Sequence, residues 1–180
     1  MKPLVIDDIP RYTYSDYEQW EGRWELIQGI AYAMSPLPTI EHQDISANIA
    51  IELARTLQDC QQCRGMLPVD WKIDEQTVVQ PDNLVVCGEV SGKYLAKAPV
   101  LIFEILSPST AYKDRRVKSL LYADEGVKYY VIVEVHLQMA EVYELHDGEY
   151  EKLTTTQNET VEFDLGEYNM LFDFGKIWPV

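Results

Sequence analysis

The sequence lacks the features of membrane, secreted and repeat proteins. It has no apolar run near the roughly 20 residues that a membrane-spanning helix needs. Asp7 and Asp8 interrupt the N-terminus before an apolar stretch of about 7–15 residues, the core of a secretory signal, can form. No internal repeat or low-complexity segment is present. These absences predict a cytoplasmic protein.

Cysteine is also scarce, with three residues, Cys60, Cys63 and Cys87. A small, odd number argues against a framework of disulfide bonds and fits a reducing compartment. Cys60 and Cys63 form a C-x-x-C pair, which a redox centre or half a zinc site would have. No second pair or spaced histidines follow to complete a zinc site. We therefore expect ordinary thiols at the end of a helix.

Positive charge is the third scarcity. The chain has 15 Lys and Arg against 30 Asp and Glu, a formal net charge of −15. Such a surface repels DNA, because contacts between cations and phosphates usually dominate affinity for nucleic acids. Four basic residues do lie close together in the sequence. A basic strip on an otherwise acidic surface is therefore still compatible with the sequence. The four residues are Lys113, Arg115, Arg116 and Lys118.

The 180 residues, with 47% hydrophobic and 25% charged side chains, are typical of one globular domain spanning 1–180. Periodicity and turn residues predict an α/β (mixed α+β) fold, in which helices flank a mixed β-sheet that carries an antiparallel extension. Thr110 is the predicted cap of the second long helix, and Gly126 its predicted stop. The predicted elements are a short helix at 15–19, a hairpin at 24–34, a helix at 42–60, strands at 67–73, 78–87 and 100–106, a helix at 111–125, strands at 129–135, 139–145 and 150–155, and an apolar tail at 161–180.

Two carboxylates are placed where burial is costly. Glu104 is the one charge in the apolar run 100–106, and Asp82 follows Pro81 at the beginning of another apolar segment. A buried ionised carboxylate must be protonated, paired or bound to a metal. If the two strands are neighbours, both side chains converge, and two oxygen ligands suit Mg²⁺ or Mn²⁺. The alternative is that each caps a turn or pairs with a lysine or arginine.

Several sequence runs resemble the Uma-two family, a restriction-endonuclease-like family of the PD-(D/E)XK nuclease superfamily. The likeness covers about residues 18–150, and the runs are WELIQGIAYAMSP, EHQDISANIAIEL, VVQPDNLVV, FEILSPSTAYKDRRVKSLLYADEGVKYYVIVE and AEVYEL. The resemblance implies a restriction-endonuclease-like core in which an aspartate on the second strand and a glutamate on the third hold the metal. Carried over to this chain, the metal ligands are Asp82 and Glu104.

The resemblance also implies a catalytic lysine. The simple superfamily pattern places it two residues after the glutamate, where this chain has Leu106. The family offers a substitute on the following helix, which corresponds to Lys118. Asp114, Lys118 and Tyr122 are spaced i, i+4 and i+8, so they share one face of an α-helix. A solvated charged face is the alternative interpretation.

Two further residues are additional candidates. Glu25 matches an early glutamate of the family and would reach the metal or its waters, unless it is the polar side of an edge strand. His42, at the start of the first long helix, would bind a phosphate or a metal-bound water, unless it is an exposed polar residue.

Together these observations predict a metal-dependent endonuclease that hydrolyses DNA, with Lys118 orienting or activating the attacking water. Two alternatives stay open: a non-catalytic dimeric regulatory or interaction module on the same fold, and a hydrolase of a smaller phosphorylated substrate. We also expect a homodimer, formed through exposed residues of the C-terminal strands such as Val142, Tyr143 and Tyr150.

Overall fold

The computed structural model describes residues 9–34, 38–107 and 111–179. The cap predicted at Thr110 lies outside them. None of the described helices is both long and apolar enough to cross a membrane. In chain order the elements are α1 (Tyr14–Tyr17), β1 (Trp24–Ile27), β2 (Ile30–Ala33), α2 (Ile40–Thr56), β3 (Cys63–Met66), β4 (Trp71–Asp74), β5 (Thr77–Val79), β6 (Asn83–Cys87), β7 (Leu101–Ile105), a π-helix (Lys113–Lys118) leading into α3 (Ser119–Asp124), β8 (Tyr129–Glu134), β9 (Met139–His146), β10 (Glu149–Thr156), β11 (Thr160–Asp164), β12 (Asn169–Asp173) and a 3-10 turn (Phe174–Lys176).

The described strands form three sheets. The largest has the order β10-β9-β8-β7-β6-β3, and a second has the order β2-β1-β5-β4, while β11 and β12 form a hairpin. In the largest sheet β7 and β8 are parallel, with the π-helix and α3 between them in the chain, and the other pairs are antiparallel. The prediction of a mixed α+β fold with an antiparallel extension is confirmed.

Strand β7 divides the molecule into two sides, because successive side chains of a strand point to opposite faces. Leu101, Phe103 and Ile105 belong to an apolar cluster with α2 and the C-terminal hairpin, and we call this side the apolar face. Ile102 belongs to a second cluster, which includes residues of α3 and of the four-stranded sheet. Glu104 shares this side, which we call the charged face.

Helix α2 is close to its prediction. Ile45, Ile49 and Leu53 recur every four residues and are fully buried, and the Thr39 side chain caps the helix by accepting a hydrogen bond from the His42 backbone N–H at 3.2 Å. The helix ends earlier than residue 60. Shortly after it comes β3, where a Cβ on Gly65 would lie 2.8 Å from Leu53 Cβ. Glycine therefore allows the close approach of strand and helix.

The predicted strand 78–87 is in fact two strands in different sheets. The break covers Gln80–Asp82, between β5 and β6. Pro81 has no N–H to donate to a ladder, so the chain leaves one sheet here and enters the other. The predicted strand 67–73 is also wrong in its bounds, because Trp71–Asp74 is the strand there and β3 was missed.

The expectation that Cys63 is an ordinary thiol at a helix end is wrong. Cys63 and Cys87 lie directly opposite each other on β3 and β6 and form a disulfide. Cys60 is the free cysteine among the described residues. Missing β3 left Cys63 at a helix end in the prediction, whereas the strand pairs it with a residue 24 positions away.

The C-terminal part packs as an apolar tail should. Phe163, Phe172 and Phe174 are fully buried in the cluster of the apolar face. The predicted turn between β9 and β10 is confirmed, with positive φ at Asp147 and Gly148, which suits a tight hairpin. Two of the residues named for a dimer surface, Tyr143 and Tyr150, are half-buried. The third, Val142, is fully buried in the core, so its proposed exposure is wrong.

Candidate active site

Neighbouring strands bring Asp82 and Glu104 together. Strands β6 and β7 are antiparallel with Asn83 opposite Phe103, so Asp82, one residue before β6, lies beside the end of β7. The Ile105 backbone N–H donates to Asp82 Oδ2 at 2.8 Å. Both carboxylates line one cavity of about 230 Å³. The convergence predicted from the sequence is therefore present.

Glu104 is almost completely buried, with 2% of its surface exposed. Its Oε1 atom accepts hydrogen bonds from Lys118 Nζ at 2.8 Å and from the Tyr122 hydroxyl at 2.6 Å. The helix that follows β7 therefore brings Lys118 and Tyr122 back to the side chain of Glu104. A solvated charged face is excluded, since Asp114, Lys118 and Tyr122 are all buried.

Glu25 joins the same cluster from the other sheet. It is fully buried, and its Oε1 lies 2.8 Å from Lys118 Nζ and accepts the Gln80 backbone N–H at 3.0 Å. Its Oε2 accepts a hydrogen bond from Lys113 Nζ. Strand β1 lies between β2 and β5, so the interpretation of Glu25 as the polar side of an edge strand is wrong.

The π-helical turn explains why two lysines reach one carboxylate. In an α-helix, residues five apart are separated by about 140° around the axis. A π-helix bonds i to i+5, which brings such residues to one side. Lys113 and Lys118 are the first and last residues of this segment, and both contact Glu25. An α-helical prediction could not foresee the part of Lys113.

His42 also reaches the cavity, from the first turn of α2. Its Nε2 lies 3.2 Å from Asp82 Oδ2. Its other ring nitrogen, Nδ1, is buried and has no hydrogen-bond partner among the described residues. The His42 side chain is 14% exposed, so the interpretation as an exposed polar residue is wrong.

The carboxyl group of Glu104 is the one most inclined to hold a proton. Burial raises its pKa well above the ordinary value, and the Lys118 ammonium only partly opposes this effect. The nearby carboxylates of Asp114, Asp82 and Glu25 raise the pKa further.

Glu25 and Lys118 form the ionised core of the cluster. Burial alone would raise the pKa of Glu25, but Lys118 and Lys113 outweigh it and leave the pKa lowered. Burial alone would lower the pKa of Lys118, but the carboxyl groups of Glu104 and Glu25 outweigh it and raise the pKa well above normal. The ammonium of Lys118 therefore stays charged at neutral pH.

The chain that forms this cluster matches the model of a known protein family. Residues 14–168 match the model of the Uma2 family, which is described as "Putative restriction endonuclease". The chain belongs to the Uma2 family. The resemblance noted from the sequence runs is thus confirmed, and the family supports a nuclease-like function for this chain.

A solved structure gives the same fold for this Uma2 chain. It is a crystal structure from Anabaena variabilis, described as a putative nuclease belonging to DUF820. The two are 17% identical with a TM-score of 0.73, over 92% of this chain and 96% of that chain. At this identity the likeness shows the fold alone. No curated protein matches the sequence.

The cluster of the Uma2 chain has an excess of negative charge. Four described carboxyl groups, Glu25, Asp82, Glu104 and Asp114, face two ammonium groups, Lys113 and Lys118. A divalent cation on Asp82 and Glu104 would offset part of this negative charge. Restriction-endonuclease-like families generally use divalent metals.

The donor set for such an ion is small. Within 9–34, 38–107 and 111–179 there is no group of three or more His, Cys, Asp or Glu placed to hold a metal. Asp82 and Glu104 fit an ion that completes its coordination with water or backbone oxygens, as Mg²⁺ commonly does.

The four basic residues at 113–118 do not form the free basic strip that the sequence left possible. Lys113 and Lys118 are engaged with Glu25, and Arg115 forms an ion pair with Glu141 at 2.8 Å. Arg116 is exposed. Lys113, Arg115 and Lys118 therefore compensate carboxylates that the fold brings close to them.

Proposed function

We propose that this Uma2 protein is a metal-dependent nuclease that hydrolyses phosphodiester bonds of DNA, with Mg²⁺ or Mn²⁺ bound by Asp82 and Glu104. The observation that carries the proposal is the cavity in which these two carboxylates meet the buried Lys118 ammonium. A charged cluster without access to solvent would be only structural, whereas this cluster opens onto a cavity.

The residues of the cavity have distinct parts in the proposed reaction. Asp82 and Glu104 would hold a divalent ion, which would supply a bound water of lowered pKa and polarise the scissile phosphate. Lys118, charged and 2.8 Å from Glu104, orients the attacking water and offsets charge that develops on the phosphate. The Tyr122 hydroxyl fixes the Glu104 carboxyl group through its hydrogen bond.

The remaining candidates position these groups. Lys113 holds Glu25, and Glu25 in turn holds Lys118 in place. His42 contacts Asp82 and stands at the cavity, where it would bind a phosphate oxygen or a metal-bound water. Homodimer formation and a cytoplasmic location remain predictions.

A smaller phosphorylated substrate is the second candidate. The net charge of −15 and the engaged cations of the π-helix disfavour a long polyanion, while a cavity of about 230 Å³ would accept a small one. The non-catalytic module requires that Asp82 and Glu104 bind no divalent ion.

Calorimetric titration with Mn²⁺ tests the proposal. We expect the wild type to bind the ion and Asp82→Asn to bind it weakly, while Asp164→Asn, an exposed aspartate paired with Lys128, binds like the wild type. Labelled DNA should be cut only with the ion present and not by Asp82→Asn. Equal binding in all three proteins would remove the metal site. Binding without DNA cleavage would favour the small substrate.

A further inference from the structure

The cavity that contains the carboxylates also has an apolar wall. Met34, Pro38, Leu106 and Val135 line it along with Asp82 and Glu104. A water molecule occupies about 30 Å³ in the liquid, so a volume of about 230 Å³ exceeds what an ion-bound water needs. The cavity therefore has room for a group that is apolar on one side and bound to a phosphate on the other.

Two large exposed side chains belong to residues that are adjacent along the chain to residues lining the cavity. Ile40 is 81% exposed and lies between Thr39 and Glu41, which both line the cavity. Tyr112 is 76% exposed and immediately precedes Lys113, another lining residue. An exposed aromatic ring such as that of Tyr112 offers a surface on which a base can stack.

The charges around the cavity do not suit a DNA duplex. The lining that the structure describes has three basic side chains, Arg23, Lys113 and Lys118, and the two lysines are bound to Glu25. Arg23 is half-buried and hydrogen-bonds to Gln80 at 3.4 Å. Duplex affinity rests on many cation–phosphate contacts, and this lining offers few.

From these features, and resting on the proposed function, we infer that the cavity binds an unpaired nucleotide of single-stranded DNA. The base packs against the wall formed by Met34, Pro38, Leu106 and Val135, and a neighbouring base stacks on Tyr112. The phosphate faces Asp82 and Glu104. A base inside a duplex is stacked and paired, so it reaches such a wall only after it is extruded, which costs energy.

Fluorescence anisotropy tests this inference in Ca²⁺, with a short labelled single strand and a hairpin duplex that contains the same sequence. We expect the single strand to bind about tenfold more tightly or better, as stacking on unpaired bases allows. Tyr112→Ala should weaken single-strand binding by about five- to a hundredfold, the value of one stacked base, and leave duplex binding unchanged.

Two more variants make the test specific. Val135→Thr keeps the shape of the wall but adds a hydroxyl group, and should weaken single-strand binding severalfold. Leu171→Ala removes an exposed apolar residue on the C-terminal hairpin, 56% exposed, and should change nothing. Displacement of the bound strand by dTMP at low concentration would support the nucleotide subsite. It would also identify free nucleotides as a source of the ligand.

Other outcomes overturn the inference. Equal or tighter binding of the duplex would contradict the inference. The proposed nuclease would still hold if the wild type cuts that duplex with Mn²⁺ and Asp82→Asn does not. Preference for single-stranded RNA of the same sequence would overturn the assignment to DNA. If the single strand binds through Tyr112 but no DNA is cut with Mn²⁺, the subsite stands and the proposed nuclease fails.

Discussion

The side chains on both faces of β7 are buried, yet different interactions hold them. On the apolar face Phe103 packs against Phe172 and Phe174, and stability comes from apolar burial and dispersion. On the charged face Glu104 meets Lys118 and Tyr122. There the cost of removing charges from water largely cancels their mutual attraction. The first face therefore supplies stability, and the second holds the groups that we propose to be reactive.

This comparison predicts that substitutions on the two faces have different effects on activity and on stability. A change on the charged face should reduce activity more than stability, and a change on the apolar face should do the opposite. The activity to be measured is cleavage of any DNA that the wild type cuts with Mg²⁺ or Mn²⁺.

Glu104→Gln should have the largest effect. The amide keeps the shape and can accept the hydrogen bonds from Lys118 and Tyr122, but it loses the negative charge proposed to hold the ion. We expect activity to fall by about 10³-fold or more, and the free energy of unfolding to change by about 1 kcal/mol or less. Initial rates and urea denaturation measure the two quantities. Glu151→Gln, an exposed change on β10, is the control, and full activity in Glu104→Gln would contradict the proposed site.

Phe103→Ala tests the opposite face of the same strand. Removing a fully buried ring should cost about 3–5 kcal/mol of unfolding free energy. Activity per folded molecule, measured at low temperature, should stay close to that of the wild type. Leu153→Ala, an exposed change, should stay within about 0.5 kcal/mol. A loss of activity in folded Phe103→Ala as large as that in Glu104→Gln would abolish the distinction between the faces.

Lys118→Met should affect both quantities. Activity is expected to fall by about 10²-fold, the effect of losing one electrostatic stabiliser. Stability should fall by up to about 3 kcal/mol, because Glu25 and Glu104 lose a buried cation, although Lys113 stays with Glu25 and Glu104 can take up a proton. Lys118→Arg should rescue poorly, since a planar guanidinium does not replace a compact ammonium.

The measurement for Lys118→Met is a rate together with Mn²⁺ calorimetry. Retained ion affinity with reduced turnover would support a part in the reaction. Full activity in a destabilised Lys118→Met protein would make the lysine purely structural.

Glu141→Gln should have the smallest effect, because it breaks a partly exposed network with Arg115 and Lys152. Burial alone would raise the pKa of Glu141, but its hydrogen bonds to Arg115, Lys152 and Tyr143 lower it to about 2. A lowered folded-state pKa stabilises the protein above the unfolded value and loses that contribution as pH falls. We expect a loss of about 1 kcal/mol at neutral pH, reduced by solvent screening.

The pH series for Glu141→Gln should show the difference from the wild type shrinking from pH near 4.5 towards about 2. A difference that stays constant with pH would mean that packing, not charge, accounts for it.

Local sequence patterns predicted the features that depend on residues close together in the chain. Ile45, Ile49 and Leu53 identify α2 by their spacing, and Glu104 is conspicuous as one charge in an apolar run. That single misfit also led to the site, since burial demands compensation for it. The catalytic roles of Asp82, Glu104 and Lys118 stay predictions.

The missed features depend on partners far along the chain. Strand β3 is short and contains Gly65, and it exists through pairing with β6, which also brings Cys63 to Cys87. Lys113 reaches Glu25, 88 positions earlier, from a widened helical turn that no α-helical spacing encodes. Tertiary contacts, not propensity, decide these elements.

The alternation of Phe103 and Glu104 on β7 also bears on how the sheet assembles. A slip of β7 by one residue against β6 and β8 would turn every side chain to the opposite face. Glu104 would then enter the aromatic cluster of Phe172 and Phe174 without a cation, and Phe103 would face Lys118. An unpaired buried carboxylate costs several kcal/mol, so the misregistered sheet is strongly disfavoured. Glu104, the carboxylate proposed for metal binding, therefore also favours the correct register of β7 during folding.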